Sequence, residues 1–249
     1  MVNASIEKFF SLNEEHLNWL EIYIERQRKR IERDAAFILG LRPKKIVNIG
    51  AAPFLLEYIL KLEYNFDGII TSLDVAPERF QRIISELDIN AVKINVEEAT
   101  SEELISVMAD ADLVVFSEVF EHLRLDLLGT MNNISEALPA GCRFYLTTPN
   151  GLGFRQTVRG LRGYSGPRPI PNWRKLKDVG HMGHVREYSK REIYEILREV
   201  RFKDIDIKIL PHWNSAFSEN YEHTLIRIAE TLCPSKGWCI QALAMSGNP

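Results

Sequence analysis

The chain has 249 residues, of which 45% are hydrophobic, enough for the buried core of one large α/β domain or two small ones. A net charge of -3 argues against nucleic-acid binding through the whole surface, and without a basic leader, a long apolar run or a membrane-length apolar segment the chain reads as soluble and cytoplasmic. Cys142, Cys233 and Cys239 form no C-x-x-C pair, which points to reduced thiols and leaves no cysteine cluster for zinc.

Residues 14–39 place Leu17, Leu20, Ile24, Ile31, Ala35 and Ile38 at helical spacing, so residues 1–40 read as an amphipathic helical extension. The charged stretch Arg26 to Arg33 within it, interspersed with Glu25, Glu32 and Asp34, reads as a solvated helix face. From Lys44 onward, short β-branched runs alternate with helical segments, the pattern of βαβ units around a parallel sheet. Strands are expected at Lys45 to Ile49, Gly68 to Asp74, Ala91 to Val96, Asp112 to Ser117 and Arg143 to Thr148. Between them, helices are expected near 54–62, 77–87, 100–108 and 124–138, with Pro77 as a first helical residue and Thr100-x-x-Glu103 as a capping box. A Gly/Pro-containing stretch follows, and Ser189 to Glu192 then caps a helix reaching about Val200. Lys203 to Leu210 reads as a strand, His223 to Leu232 as a helix and Gly237 to Met245 as a last strand. Residues 41–249 thus make one domain with a basic loop insertion at 151–188.

In open parallel sheets ligands collect at the carboxyl ends of strands, where strand order reverses. The first strand ends in Val47-Asn-Ile-Gly50-Ala-Ala-Pro53, where Gly50 permits a turn that brings backbone close to a ligand. The second ends at Asp74, 24 residues after Gly50, a spacing used by dinucleotide-binding units whose acid accepts ribose hydroxyls. Singly, Gly50 is a tight turn and Asp74 a helix cap; together they suggest an adenosine-containing ligand. The fourth strand runs into Ser117-Glu118-Val-Phe-Glu121-His122-Leu123, the fifth into Thr147-Thr-Pro-Asn150, and His184-Val-Arg-Glu-Tyr-Ser189 opens the later helix.

These three ordered blocks resemble those of the class I S-adenosylmethionine-dependent methyltransferases, in the branch acting on small molecules and sugars, over about Lys44 to Met245. The resemblance implies an α/β, Rossmann-like class I methyltransferase fold: a seven-stranded, mostly parallel sheet with an antiparallel last strand and helices on both faces. It also implies S-adenosylmethionine as cofactor. Asn48, Gly50 and Ala51 match the loop beside its methionine part, Asp74 the ribose-binding acid, Val75 and Asn95 the adenine surroundings, and Ser117 and Glu118 the edge near the sulfonium. The first strand departs from the family's D/E-x-G-x-G-x-G, with Asn48, Ala52 and Phe54 replacing the acid and two glycines. Phe54 at a tight packing position requires the following helix to shift or to begin differently.

Methyl transfer needs little acid/base machinery beyond alignment, but a hydroxyl acceptor must lose a proton. His184, His181 and Glu121 are the candidate bases, His184 first, and His122 reads as a packing or capping residue. Asn150, Arg155, Arg186 and Tyr188 are the candidate acceptor-binding residues. Between Gly151 and Lys177 lie seven cations, Arg155, Arg159, Arg162, Arg168, Arg174, Lys175 and Lys177, and no acid, with Phe154, Tyr164 and Trp173 interleaved. Such a stretch suits a small, phosphate-bearing partner. Glu118, Glu121, His122 and His184 also resemble the metal-binding quartet of small-RNA 3′-terminal 2′-O-methyltransferases, which implies manganese or magnesium and an RNA partner. The metal-free small-molecule reading is preferred, since each block also occurs in metal-free members. A silent methyltransferase-fold interaction subunit is a further alternative, and nicotinamide-dependent hydride transfer is disfavoured because G-x-G-x-x-G is absent.

Overall fold

The computed structural model describes residues 2–13, 17–166, 169–179, 183–211 and 231–248. Helices α1 (Val2–Ser11) and α2 (Leu17–Gly40) precede β1 (Lys45–Ile49), α3 (Leu55–Tyr58), β2 (Ile69–Asp74), α4 (Gln81–Leu87) and β3 (Asn90–Lys93). Then come α5 (Ser101–Met108), β4 (Leu113–Ser117), α6 (Leu127–Ala137), β5 (Arg143–Pro149), α7 (Phe154–Leu161), α8 (Pro169–Val179), α9 (Lys190–Glu199), β6 (Lys203–Leu210) and β7 (Cys239–Met245). The strands form one seven-stranded sheet in the order β3-β2-β1-β4-β5-β7-β6, with β7 antiparallel to both neighbours and the other pairings parallel. Strand order reverses between β1 and β4, so their carboxyl ends form the crevice in which a ligand is expected.

Burial on both faces explains the continuous apolar runs. Along β4 and β5, Val114, Phe116, Phe144 and Leu146 face one core, with Leu104, Met108, Ile134 and Leu197 of α5, α6 and α9. Leu113, Val115 and Tyr145 face the other, with α2, α3 and α4. On α2, the expected stripe of Leu20, Ile24, Ile31, Ala35 and Ile38 is buried in this second core. Each such side chain contributes roughly 1.5–3 kcal/mol, so α2 is a structural wall of the sheet.

Both expected capping boxes form, at Thr100/Glu103 and Ser189/Glu192. Other elements differ from expectation for local reasons. After β1, Phe54 takes left-handed φ/ψ of 65°/27°, α3 starts one residue later and runs into a π-helical turn at Ile59–Glu63. β3 stops at Lys93 because Asn95 turns the chain: its carbonyl accepts from the N–H groups of Glu98 and Ala99, and its side chain accepts from that of Glu97. The basic stretch, expected as loop, contains α7 and α8. Pro169 and Pro171 fall in the first turn of α8, where a missing N–H costs no helical hydrogen bond. The expected strand at Lys203 to Leu210 is present, whereas the helix expected at His223 to Leu232 lies outside the described residues except for the helical Thr231 and Leu232. No helix among the described residues is long and apolar enough to cross a membrane.

Candidate active site

At the crevice, the turn after β1 is built around Gly50, whose φ is +72°. A Cβ there would come within 2.4 Å of Val119 Cγ2, so glycine is required both for conformation and for space. Asp74 is oriented from two sides: its Oδ2 accepts from Ala52 N–H (3.0 Å) and its Oδ1 from Ala76 N–H (3.1 Å). Each oxygen keeps a second lone pair, and the residue remains partly exposed. Ala51 is buried, Val75 is exposed and Asn95 is half-buried beside them.

Asn48 faces a second acid that sequence inspection passed over. Its Nδ2 donates to Glu57 Oε1 at 2.7 Å, and the same oxygen accepts from Ser72 Oγ at 2.6 Å. Glu57 is fully buried, and burial pushes its carboxyl above the ordinary value against the pull of these donors. Phe54, in place of a motif glycine, is buried against Phe80 with ring centroids 5.6 Å apart. The altered motif keeps a compact turn because the large ring enters the core rather than the crevice.

The blocks at the ends of β4 and β5 meet the H-x-R-x-Y segment through backbone contacts. Val185 N–H donates to Glu121 O at 2.7 Å, Gly151 N–H donates to Tyr188 O at 2.8 Å, and the Phe120 ring meets Tyr188 edge-on at 4.9 Å. This clasp fixes His184 beside Glu121. His184 Nδ1 donates to Glu187 Oε1 at 2.8 Å, and His122 Nδ1 donates to Gly183 O at 3.2 Å. Both Nε2 atoms turn toward Glu121 Oε1, at 3.8 Å from His184 and 3.9 Å from His122. Glu121 is 1% exposed, and Thr148 Oγ1 donates to its Oε2 at 3.0 Å.

Burial, reinforced by the charge of Glu118, holds Glu121 well above the usual carboxylate range. Burial also works against the His184 imidazolium, but the hydrogen bond to Glu187 and the field of Glu121 outweigh it and raise its pKa. The ligand atoms of Glu121, His122 and His184 lie within 4.8 Å of one another, a geometry that also suits a divalent cation. Glu118, whose Oε1 lies 3.9 Å from Cys239 Sγ of β7, is not among these three converging residues.

The stretch Arg26 to Arg33 is a solvated face only in part: Arg26 and Lys29 are exposed, but Arg30 is not. Arg30 is 4% exposed and Asp34 1%, because α2 packs on the sheet beside β4 and β5, with Arg30 reaching the carboxyl end of β4 and Asp34 facing Tyr145 of β5. Arg30 Nη1 donates to Ser117 Oγ at 2.8 Å and lies 3.3 Å from Asp34 Oδ2. Asp34 also accepts from Arg33 Nη2 (2.8 Å), Tyr145 Oη (2.9 Å) and Ser117 Oγ (3.3 Å). Burial is opposed at Arg30 by the nearby charges of Glu118 and Asp34, which hold the guanidinium protonated. Arg30, Asp34, Asn48, Gly50 and Ser117 line a cavity of about 40 Å³ between α2 and the strand ends. The available signal was spacing: Arg30 and Asp34 lie four apart, on the column that continues into Ile38 of the apolar stripe.

The other expected site residues separate. Asn150 is buried and engaged with backbone, donating to Gly237 O (2.8 Å) and accepting from Leu152 N–H (3.1 Å). Tyr188 is buried under Phe120 with the Arg186 guanidinium 4.9 Å from its ring centroid. Arg186 is exposed and paired with Glu192, and Arg155 is exposed with its guanidinium over Trp238 at 5.4 Å. His181 lies outside the described residues.

Residues 23–207 match the model of a methyltransferase-domain family, and the chain belongs to that family. It is a methyltransferase of the class I fold. No curated protein matches the sequence. Among solved structures it is similar to an S-adenosylmethionine-dependent methyltransferase from Archaeoglobus fulgidus, at 13% identity and a TM-score of 0.58 over 91% of this chain and 99% of that one. It is also similar to a Thermotoga maritima methyltransferase described as a possible histamine N-methyltransferase, at 14% identity and a TM-score of 0.59 over 95% and 99%. A third, phosphoethanolamine N-methyltransferase 2 of Haemonchus contortus with phosphomonomethylethanolamine and S-adenosylhomocysteine, has 12% identity and a TM-score of 0.52 over 83% of this chain and 49% of that one.

Proposed function

We propose that this methyltransferase uses S-adenosylmethionine to methylate an oxygen of a sugar-like or other small, phosphate-bearing metabolite in the cytoplasm. The observation that carries the reading is the His184–Glu187 pair beside Glu121, at the same strand ends as the Gly50 turn and Asp74. The residues fit the cofactor: Asp74 offers two oriented oxygens to ribose hydroxyls, Val75 an apolar edge and Asn95 a carbonyl to the adenine amino group. When bound, the cofactor supplies an activated methyl group on a sulfonium.

Glu187 holds His184 in the tautomer with Nδ1 protonated, leaving Nε2 to take the proton of an acceptor hydroxyl. Glu121, beside Nε2, stabilises the imidazolium that results. Arg155 and Arg159, on α7, and Arg186 supply cations for a phosphate on the acceptor. The three free cysteines suit a reducing compartment.

A second reading is favoured by one feature: both imidazoles have Nδ1 engaged and Nε2 converging on one carboxylate, as metal-bound histidines do. Glu121, His122 and His184 would hold manganese or magnesium, which lowers the pKa of a bound hydroxyl, and a terminal ribose of RNA would be the acceptor. The test is mass spectrometry of products after incubation with S-adenosylmethionine and sugars, sugar phosphates, nucleotide sugars or short RNAs, with manganese or a chelator. Methylation of a phosphate-bearing small molecule in the presence of chelator is expected. Methylation of RNA alone, abolished by chelator, contradicts the first reading and supports the second.

A further inference from the structure

Helices α7 and α8 stand on the segment that carries His184 and turn apolar side chains outward. Gln156 Nε2 of α7 donates to Glu187 Oε2, and Asn172 Nδ2 of α8 donates to His184 O at 2.6 Å. These contacts fix the side of each helix that meets the protein. On α8, Ile170, Trp173, Arg174 and Lys177 follow i, i+3, i+4, i+7 spacing and so share the face opposite Asn172, where all four are exposed. On α7, no residue is buried, and the stripe Phe154, Val158, Leu161 starts half-buried and ends with Leu161 85% exposed. Single exposed apolar side chains are ordinary, but Leu152, Leu161, Tyr164, Ile170 and Trp173 are gathered in one excursion of the chain. The same excursion carries seven cations and no acid from Gly151 to Lys177, in a chain whose net charge is -3. Positive charge is thus concentrated beside the exposed apolar side chains, with Arg155, Arg162, Arg174 and Lys177 exposed among them.

The chemistry of this surface selects its occupant. A second copy in two-fold pairing would set the same cations against one another. A single-stranded RNA would use the cations and the rings but not Leu152, Leu161 and Ile170. A lipid surface uses all of them: aliphatic side chains enter the acyl boundary, Trp and Tyr rings lie at headgroup level, and Arg and Lys meet anionic headgroups. We propose that α7 and α8 dock the protein on an anionic lipid bilayer, lying in its surface without spanning it. The docking goes beyond the proposed activity and holds whatever the methyl acceptor is. It places the His184 segment about 10 Å, one helix diameter, from the headgroups, because Asn172 and the exposed face lie on opposite sides of α8.

The test is flotation of the full chain with vesicles of phosphatidylcholine, alone or with about 30% phosphatidylglycerol, at low and at physiological salt. Binding to the anionic vesicles is expected, weakening as salt rises. Lipids brominated along the acyl chain should quench tryptophan fluorescence, and Trp173→Phe should reduce that quenching. Arg162→Glu with Arg174→Glu should weaken vesicle binding by about 20-fold or more, and Leu161→Ser with Trp173→Ser by about tenfold. Unchanged thermal melts of both double variants report an intact fold, since all four side chains are exposed. Absence of binding to anionic vesicles, binding indifferent to the anionic lipid, or binding that Leu161→Ser with Trp173→Ser leaves unchanged overturns the proposal. Capture of a short single-stranded RNA in place of vesicles overturns it in favour of a nucleic-acid surface. None of these measurements requires methyl transfer, so failure of the docking and failure of the proposed activity are read separately.

Discussion

Asp34 and Glu121 are both carboxylates with 1% exposure at the ends of the central strands, and their surroundings are opposite. Asp34 is met by two guanidiniums, a phenol and a hydroxyl, and its lone pairs are taken up. Glu121 accepts from Thr148, but the two imidazole nitrogens facing it stand at 3.8 and 3.9 Å, beyond hydrogen-bond length. A closed set of partners makes an acid a structural anchor, while a loosely faced buried acid leaves room for a proton or a ligand. The Asp34 end is thereby suited to holding, and the Glu121 end to chemistry.

The largest expected effect breaks the anchor. Asp34→Ala leaves Arg30 and Arg33 without their shared carboxylate, and urea unfolding should show a loss of about 3–5 kcal/mol. A loss under about 1 kcal/mol would show that Asp34 is no anchor. Glu121 should behave in the opposite sense. Its folded-state pKa is raised above the ordinary 4.5, so the folded chain binds more protons than the unfolded chain above that pH, and stability falls as pH rises from there. His184, raised above 6.5, contributes stability that is present below that pH and is lost as pH rises through its folded value. Glu121→Gln should flatten this decline and gain on the order of 1–3 kcal/mol relative to wild type at alkaline pH. Unchanged pH dependence in thermal melts would remove Glu121 from the titrating pair. The smallest effect sharpens the chemical end: Glu187→Gln takes a negative partner from His184 and lowers its pKa. The acidic limb of the pH–rate profile should then move to lower pH, and an unmoved limb would assign that limb to another group.

Much of the sheet was legible because its strands are buried on both faces and so read as apolar runs; β1 and β6 fall at Lys45–Ile49 and Lys203–Leu210 as expected. The Glu121, His122 and His184 cluster was legible as separate blocks, since short motifs keep their side chains at fixed strand ends. Its geometry was not, because His184 reaches Glu121 through a backbone clasp formed 64 positions away in the chain. Arg30 and Asp34 were misread because a charge run on an amphipathic helix ordinarily faces water, and only the docking of α2 on the sheet beside β4 and β5 buries them. Glu57 was hidden by the same kind of distance, its partners Asn48 and Ser72 lying on two different strands. α7 and α8 were missed because glycines, prolines and unbroken positive charge mask helical propensity.

The division between a holding end and a chemical end is tested most directly by His184→Ala, with S-adenosylhomocysteine affinity and methyl-transfer rate measured on the same preparation. The affinity should stay within about twofold of wild type while kcat falls by about 10²–10⁴. An affinity that falls in step with the rate, or a rate that does not fall, would contradict it.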